Sequence, residues 1–273
     1  MSQVTIPQLQ QMKCNDRKIV GVVAWDTHIA QIADRVGVEI LSVGDSVGIN
    51  LWGHLDPFEV TMDQMVIVAS AVRAGTKHAL VSCDLPFDPL VMGINETVKA
   101  GRRMTQEVGV DLVKLDGATG CPEAVSALAE AGVPVWAQFG LTPYTASQYG
   151  IEYRQLSEAE LPIDMESQLV SEAKLLESAG AVLLDFTNSG PHVGPAVTAA
   201  VSIPVIGGFG GGPWLDGRVR MAHAAIGYGA KNIDEDIDAY ANVANITLKA
   251  INAFTEDVRS ERQIKGATKT IVG

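Results

Sequence analysis

The sequence predicts an α/β protein of the (β/α)8 barrel class, and three observations point there. Short β-branched apolar runs alternate regularly with longer stretches of helical periodicity, the mark of repeated strand-helix units. The helix-ending glycines Gly109, Gly132 and Gly180 each stand just ahead of a candidate strand. Apolar residues make up 47% of the chain and aromatics only 5%, with 27 glycines, which suits buried parallel strands joined by tight turns.

Taken in order, Thr5 to Lys13 reads as a short extra helix before the barrel. Strand Ile19 to Trp25 is followed by the helical pattern Ala30 to Val36, and strand Ile40 to Gly44, after a long connection, by Met62 to Arg73. Ala79 to Cys83 leads to Glu96 to Glu107, Leu112 to Leu115 to Glu123 to Ala131, and Val133 to Ala137 to Glu166 to Ser178. Val182 to Leu184 precedes Pro195 to Val201, and Val205 to Gly208 is the seventh strand. The eighth is placed at Ala224 to Gly227, before a long helix over Ile237 to Val258. An open doubly wound sheet usually carries GxGxxG after its first strand, whereas this turn reads Ala24-Trp25-Asp26-Thr27-His28. Without a linker, short-period repeat or low-complexity tract, one domain over 1–273 is expected, with the barrel over roughly 18–230 and a C-terminal helix and tail over 237–273.

The formal net charge of −12 argues against nucleic-acid binding; the modest basic cluster is Arg259, Arg262, Lys265 and Lys269 near the C-terminus. Three scattered cysteines make neither a disulfide framework nor a metal knuckle, and fit a reducing cytoplasm. No signal-like start and no apolar run long enough to cross a bilayer is present, so neither secretion nor membrane insertion is expected.

In such a barrel the C-terminal strand ends converge on one face, where residues distant in sequence become neighbours. Here those ends carry Asp26, Asp45 with Ser46, Asp84, Lys114 with Asp116, Gln138 and Asp185. A single strand-end Asp is commonly a helix cap, but several on successive strands repel one another and call for a cation. Hard oxygen donors without a His or Cys cluster select Mg²⁺ or Mn²⁺. Lys114 and Asp116, two apart in a strand, share a face; an ordinary rim ion pair is the plainer reading.

The segments Val43 to Gly48, Gly53-His54, Ala71 to Gly75, Asp84 to Phe87, Val113-Lys114, Gly140 to Pro143 and Pro204 to Gly207 together resemble the ketopantoate hydroxymethyltransferase family, in order and spacing from about Thr5 to Gly227. The resemblance implies a TIM barrel that uses Mg²⁺ to enolise a 2-oxo acid and adds a one-carbon unit at C3, from methylenetetrahydrofolate or formaldehyde. It implies that Asp45 and Asp84 hold the metal, with Asp116 in place of a family Glu that reaches it through water. It implies that Ser46 and Lys114 bind the substrate carboxylate and keto oxygen, and that the protein is a cytoplasmic homo-oligomer, decameric in bacterial relatives.

Departures fall where the family recognises substrate and moves its proton. Gln138 stands in place of a His, so it can hydrogen-bond substrate but cannot carry charge. The family's Glu base is missing; Thr187 occupies its position and Asp185, two residues earlier on the same strand face, is the candidate base. These changes favour retained 2-oxo-acid enolisation with an altered substrate or electrophile, as in a specialised biosynthetic paralogue. A lyase or mutase of the wider isocitrate lyase/phosphoenolpyruvate mutase superfamily, or an inactive barrel serving as an assembly partner, are the competing readings.

Other features receive plainer readings. The glycine-rich stretch Gly207 to Pro213 could cradle phosphate, but close packing over the site is favoured. His54 is read as a surface residue of the connection after the second strand, His192 as a helix-start residue, and His28, His78 and His223 as helix or turn residues. Cys83 is read as inert packing.

Overall fold

The computed structural model describes residues 2–142, 144–145, 165–208 and 210–266, and in it the strands close into a barrel in chain order. They are β1 (Ile19–Val23), β2 (Ile40–Val43), β3 (Leu80–Asp84), β4 (Leu112–Leu115), β5 (Val135–Gly140), β6 (Leu183–Thr187), β7 (Val205–Gly207) and β8 (Gly217–Met221). Successive strands from β1 to β8 pair in parallel. The expected (β/α)8 barrel is the fold found.

The chain divides into two compact units, Met1–Arg220 and Met221–Gly273. The first carries the barrel strands through Arg220 and the helices α1 (Ile6–Cys14), α2 (Thr27–Val36), α3 (Met62–Gly75), α4 (Phe87–Val91), α5 (Ile94–Arg103), α6 (Pro122–Glu130), α7 (Glu166–Ser178) and α8 (Gly190–Ala200). α1 starts in a capping box, the Thr5 backbone N–H donating to Gln8 Oε1 at 2.8 Å and the Gln8 N–H to Thr5 Oγ1 at 3.4 Å. α2 stops at Gly37, whose φ of 92° closes the last turn. Every residue of β2, β3, β5 and β6 is buried, as strands covered on both faces require. Phe139 and Phe186 stack at 4.7 Å on the strand face opposite Gln138 and Asp185.

Several boundaries differ from expectation. The eighth strand is Gly217–Met221, and Ala224 belongs instead to the short helix α9 (Ala222–Ala225). The apolar run is hidden because exposed Arg218 and Arg220 alternate with buried Gly217 and Val219. Gly217 is what lets β8 close on β1, since a Cβ there would stand 2.2 Å from the Ile19 carbonyl oxygen. β5 and β6 run on to Gly140 and Thr187, and α8 begins at Gly190 with Pro195 inside it. α5 ends at Arg103 and continues as a π-turn, Met104–Val108, closed by Gly109.

In the second unit, α9 and a 3₁₀ turn over Ala230–Ile233 precede α10 (Val243–Arg259). α10 starts later than expected because Asn242 caps it, its side chain accepting from the Asn245 N–H at 3.0 Å and donating to the Asn232 carbonyl at 2.9 Å. α10 buries Ala244 and exposes Ile246, Ile251, Phe254 and Val258.

Candidate active site

Strand register assembles the polar residues. Asp84 on β3 lies opposite Lys114 on β4, and Gln138 on β5 opposite Asp185 on β6. Lys114 Nζ stands 3.3 Å from Asp84 Oδ1 and 3.5 Å from Asp185 Oδ2, so one ammonium bridges carboxylates from two strands. Asp45, just past β2, donates its backbone N–H to Asp84 Oδ2 at 3.3 Å. A Cβ on Gly44 would lie 2.9 Å from Ser46 Oγ and 3.7 Å from Asp84 Oδ2, which puts Ser46 and Asp84 around one small space. Gln138 Nε2 donates to Thr187 Oγ1 at 3.2 Å. Asp116 accepts from the Gly117 N–H at 2.6 Å and is held by the Thr142 side chain. Asp26 is different: it accepts from the N–H groups of His28 and Ile29 and caps α2.

The electrostatics are those of a crowded, dry site. Burial, then the Asp84 charge, pushes the Asp45 carboxyl up to about 8. Burial lifts Asp116 to about 7 against the Thr142 hydrogen bond and the Lys114 charge. Asp84 and Asp185 are likewise raised by burial, with Lys114 opposing. Burial works against the Lys114 charge, but Asp84, Asp185, Asp45 and Asp116 together hold its pKa above the usual lysine value. Among the described residues, four carboxyls thus share a single ammonium, and that shortage of positive charge is what a divalent cation would relieve.

The donor set fits a hard cation bound through Asp45 and Asp84, in a space floored by Gly44. Among the described residues no group of three or more His, Cys, Asp or Glu side chains stands close enough to form a cage on its own.

Sequence reasoning missed several contributors. Tyr144 donates its hydroxyl to Asp45 Oδ2 at 3.4 Å, and its ring joins Phe58 and Phe87 in a cluster with centroids 4.8 to 5.1 Å apart. Its position directly after the Gly140 to Pro143 motif was the available signal; Pro143 lies outside the described residues. Trp136, fully buried, lies under Lys114 with Nζ 5.7 Å from the ring centroid. Asn188, at φ 54°, donates Nδ2 to the Leu141 carbonyl at 3.1 Å and so ties the end of β6 to that of β5.

The glycine-rich turn after β7 serves packing. A Cβ on Gly207 would meet the Phe186 carbonyl oxygen at 2.8 Å, and one on Gly212 the Trp214 ring at 2.2 Å; Phe209 lies outside the described residues. His54 is half-buried beside Trp52, His192 is exposed on α8, His28 is exposed on α2, and His223 packs edge-on against Tyr228. His78 is half-buried just before β3, and Cys83 is fully buried.

The model of the ketopantoate hydroxymethyltransferase family matches residues 3–263. Similar curated proteins include the 3-methyl-2-oxobutanoate hydroxymethyltransferase of Rippkaea orientalis, 36% identical over 94% of this chain and 97% of that protein. Those of Cyanothece, 35% identical over 95% and 97%, and Moorella thermoacetica, 35% identical over 94% and 94%, are comparable. Among solved structures, 2,3-dimethylmalate lyase superposes with a TM-score of 0.61 at 13% identity, covering 97% of this chain and 91% of that one. Phosphonopyruvate hydrolase, in a complex with oxalate and Mg²⁺, gives 0.60 at 10% identity, covering 98% and 93%. These last two likenesses speak to the fold.

Proposed function

The chain belongs to the ketopantoate hydroxymethyltransferase family, and on that premise we propose that it enolises a 2-oxo acid and adds a hydroxymethyl group at C3. The names of its relatives make 3-methyl-2-oxobutanoate the first acid to test. The observation that carries this reading is Lys114 held between Asp84 and Asp185 at the barrel mouth.

Ser46 and Lys114 bind the substrate carboxylate and keto oxygen. As the C3 proton leaves, negative charge grows on the keto oxygen, and the Lys114 ammonium, largely buried between Asp84 and Asp185, stabilises it. Asp185 is the base: its Oδ2 is turned to Lys114 at 3.5 Å, its carboxyl also accepts from the Gly208 N–H, and it faces Gln138 across the β5–β6 pair. Gln138, fixed by Thr187, orients the substrate beside Asp185. Asp45 and Asp84 would hold Mg²⁺ or Mn²⁺, with Asp116 as a further acidic neighbour, and the ion would supply a Lewis acid for the keto group. The enol carbon then adds to formaldehyde, whose oxygen takes up a proton to become the hydroxymethyl group, or to the methylene carbon of methylenetetrahydrofolate, in which case the C–N bond breaks, tetrahydrofolate leaves and water supplies the hydroxyl. The Gln138 and Asp185 departures fit an altered substrate or electrophile. A cytoplasmic homo-oligomer, a decamer, completes the reading; the free thiols of Cys14, Cys83 and Cys121 support the first part and the exposed apolar residues of α10 the second. Among the described residues no helix is long and apolar enough to cross a membrane.

Proton NMR in D₂O tests the chemistry. With Mg²⁺ and 3-methyl-2-oxobutanoate, the C3–H signal is expected to disappear in an enzyme-dependent way that EDTA and Asp84→Asn abolish. Asp185→Asn should slow exchange about 10²-fold or more, the usual worth of a positioned base. Absence of exchange, together with absence of product when methylenetetrahydrofolate or formaldehyde is added, would leave the inactive-scaffold reading standing.

A further inference from the structure

The polar half of the site accounts for the carboxylate, the keto oxygen and the C3 proton of a 2-oxo acid, and leaves open what its 3-substituent touches. At the mouth the partly open aromatic surface comes from three separate loops. Phe58 lies in the 3₁₀ turn Pro57–Glu59 after β2, Phe87 at the start of α4 after β3, and Tyr144 after β5. Their rings meet at 4.8 Å, 5.1 Å and 5.0 Å, tilted or edge-on, so each loop is braced by the other two. Phe58 keeps 37% of its surface exposed, and Phe87 and Tyr144 are half-buried. By contrast, Trp136, Phe139 and Phe186 are fully buried.

This cluster is joined to the chemistry, because the Tyr144 hydroxyl donates to Asp45 Oδ2 at 3.4 Å. A substrate held at Asp45, Asp84 and Lys114 therefore has charged groups on one side and aromatic carbon on the other. What these three rings present is aromatic carbon, with the Tyr144 hydroxyl turned to Asp45. We infer that Phe58, Phe87 and Tyr144 form the specificity wall of the enzyme, contacting the 3-substituent of the 2-oxo acid and selecting apolar substituents over charged ones. The inference rests on the 2-oxo-acid reading above. It also separates this site from neighbours of the same fold named for phosphonopyruvate and oxaloacetate, acids with an anionic group on C3.

The test compares C3–H exchange for 3-methyl-2-oxobutanoate and 2-oxoglutarate in the full-length, Mg²⁺-supplemented enzyme. Wild type should prefer the apolar acid. In Phe58→Ala, where a partly exposed side chain is trimmed, and in Phe87→Ala, the ratio of kcat/KM between the two acids should fall about tenfold, mainly through KM for the apolar acid. Tyr144→Phe keeps the ring and should leave that ratio within twofold. A wild-type preference for 2-oxoglutarate, or a ratio that both alanine variants leave within twofold, overturns the wall while leaving enolisation intact. A wild type that exchanges neither acid and forms no product from either with methylenetetrahydrofolate or formaldehyde overturns the 2-oxo-acid reading, and the wall with it.

Discussion

Asp34 and Asp185 are both buried carboxylates, and their surroundings give them opposite characters. Asp34, on α2, accepts the backbone N–H groups of Lys77, His78 and Ala79 at 3.2, 2.9 and 2.8 Å. Burial works to raise its pKa, but those three donors outweigh it and hold the carboxyl below its ordinary value. A group depressed in the folded state adds stability above its unfolded pKa of about 3.9, and that stability is lost as pH falls through the lower folded value. Asp34→Asn should therefore cost about 1–3 kcal/mol at pH 7. The gap to wild type should narrow below about pH 4, where the unfolded carboxyl protonates. Urea melts at neutral and acid pH measure both; a gap independent of pH would mean that charge is not what the three donors recognise. Asp185 has one oxygen on Lys114 and a single backbone donor, Gly208, where Asp34 has three, which suits a proton acceptor better than a fold staple. The sequence alone separates such cases only partly. Asp26 and Asp84 both end strands, yet one turns back to cap α2 and the other faces Lys114, a difference decided by local turn geometry. The role of Tyr144, marked only by its place after the Gly140 to Pro143 motif, was hard to read for a related reason: its link to Asp45 spans 99 positions, and only barrel closure brings the two together.

At the scale of elements, the strands that carry the site were legible because both their faces are buried, which writes an unbroken apolar run into the sequence. β8 was not, because its exposed arginines interrupt that run and its closure depends on Gly217 having no side chain. The turn after β7 is a similar case of glycine serving proximity. Trp214 donates Nε1 to Ser189 Oγ at 2.9 Å, and the bare Cα atoms of Gly194 on α8 and Gly212 in the turn admit its indole. A Cβ on Gly194 would stand 2.1 Å from Trp214 Cδ1, too close for any side chain. Alanine is the better helix former by about 0.5–1 kcal/mol. Overpacking costs about 1–3 kcal/mol, so Gly194→Ala should be destabilising on balance. A urea midpoint that rises in this variant would show that the indole can move aside at no cost. Because Ser189 follows Thr187 and Asn188 at the end of β6, displacement of Trp214 should also reach the site and lower C3–H exchange.

For the whole molecule, the main physical constraint is that each chain carries a net charge of −12, so copies repel unless some face brings them together. α10 offers such a face. Ile251, Phe254 and Val258, spaced three and four apart and 58%, 54% and 53% exposed, line one side of the helix. Exposed apolar stripes of this kind mark association surfaces more often than free ones. If copies of the chain associate through it, Ile251→Glu together with Phe254→Glu should convert the homo-oligomer to smaller species in light scattering. The barrel's circular dichroism should be retained, since these side chains are already exposed. The charge supplies an independent check on the same idea. Raising salt from about 0.01 M to 0.15 M shortens the screening length from about 30 Å to 8 Å, so it should tighten association between like-charged chains. Assembly that loosens with salt would instead point to an interface held by ion pairs, and α10 would then be the wrong surface.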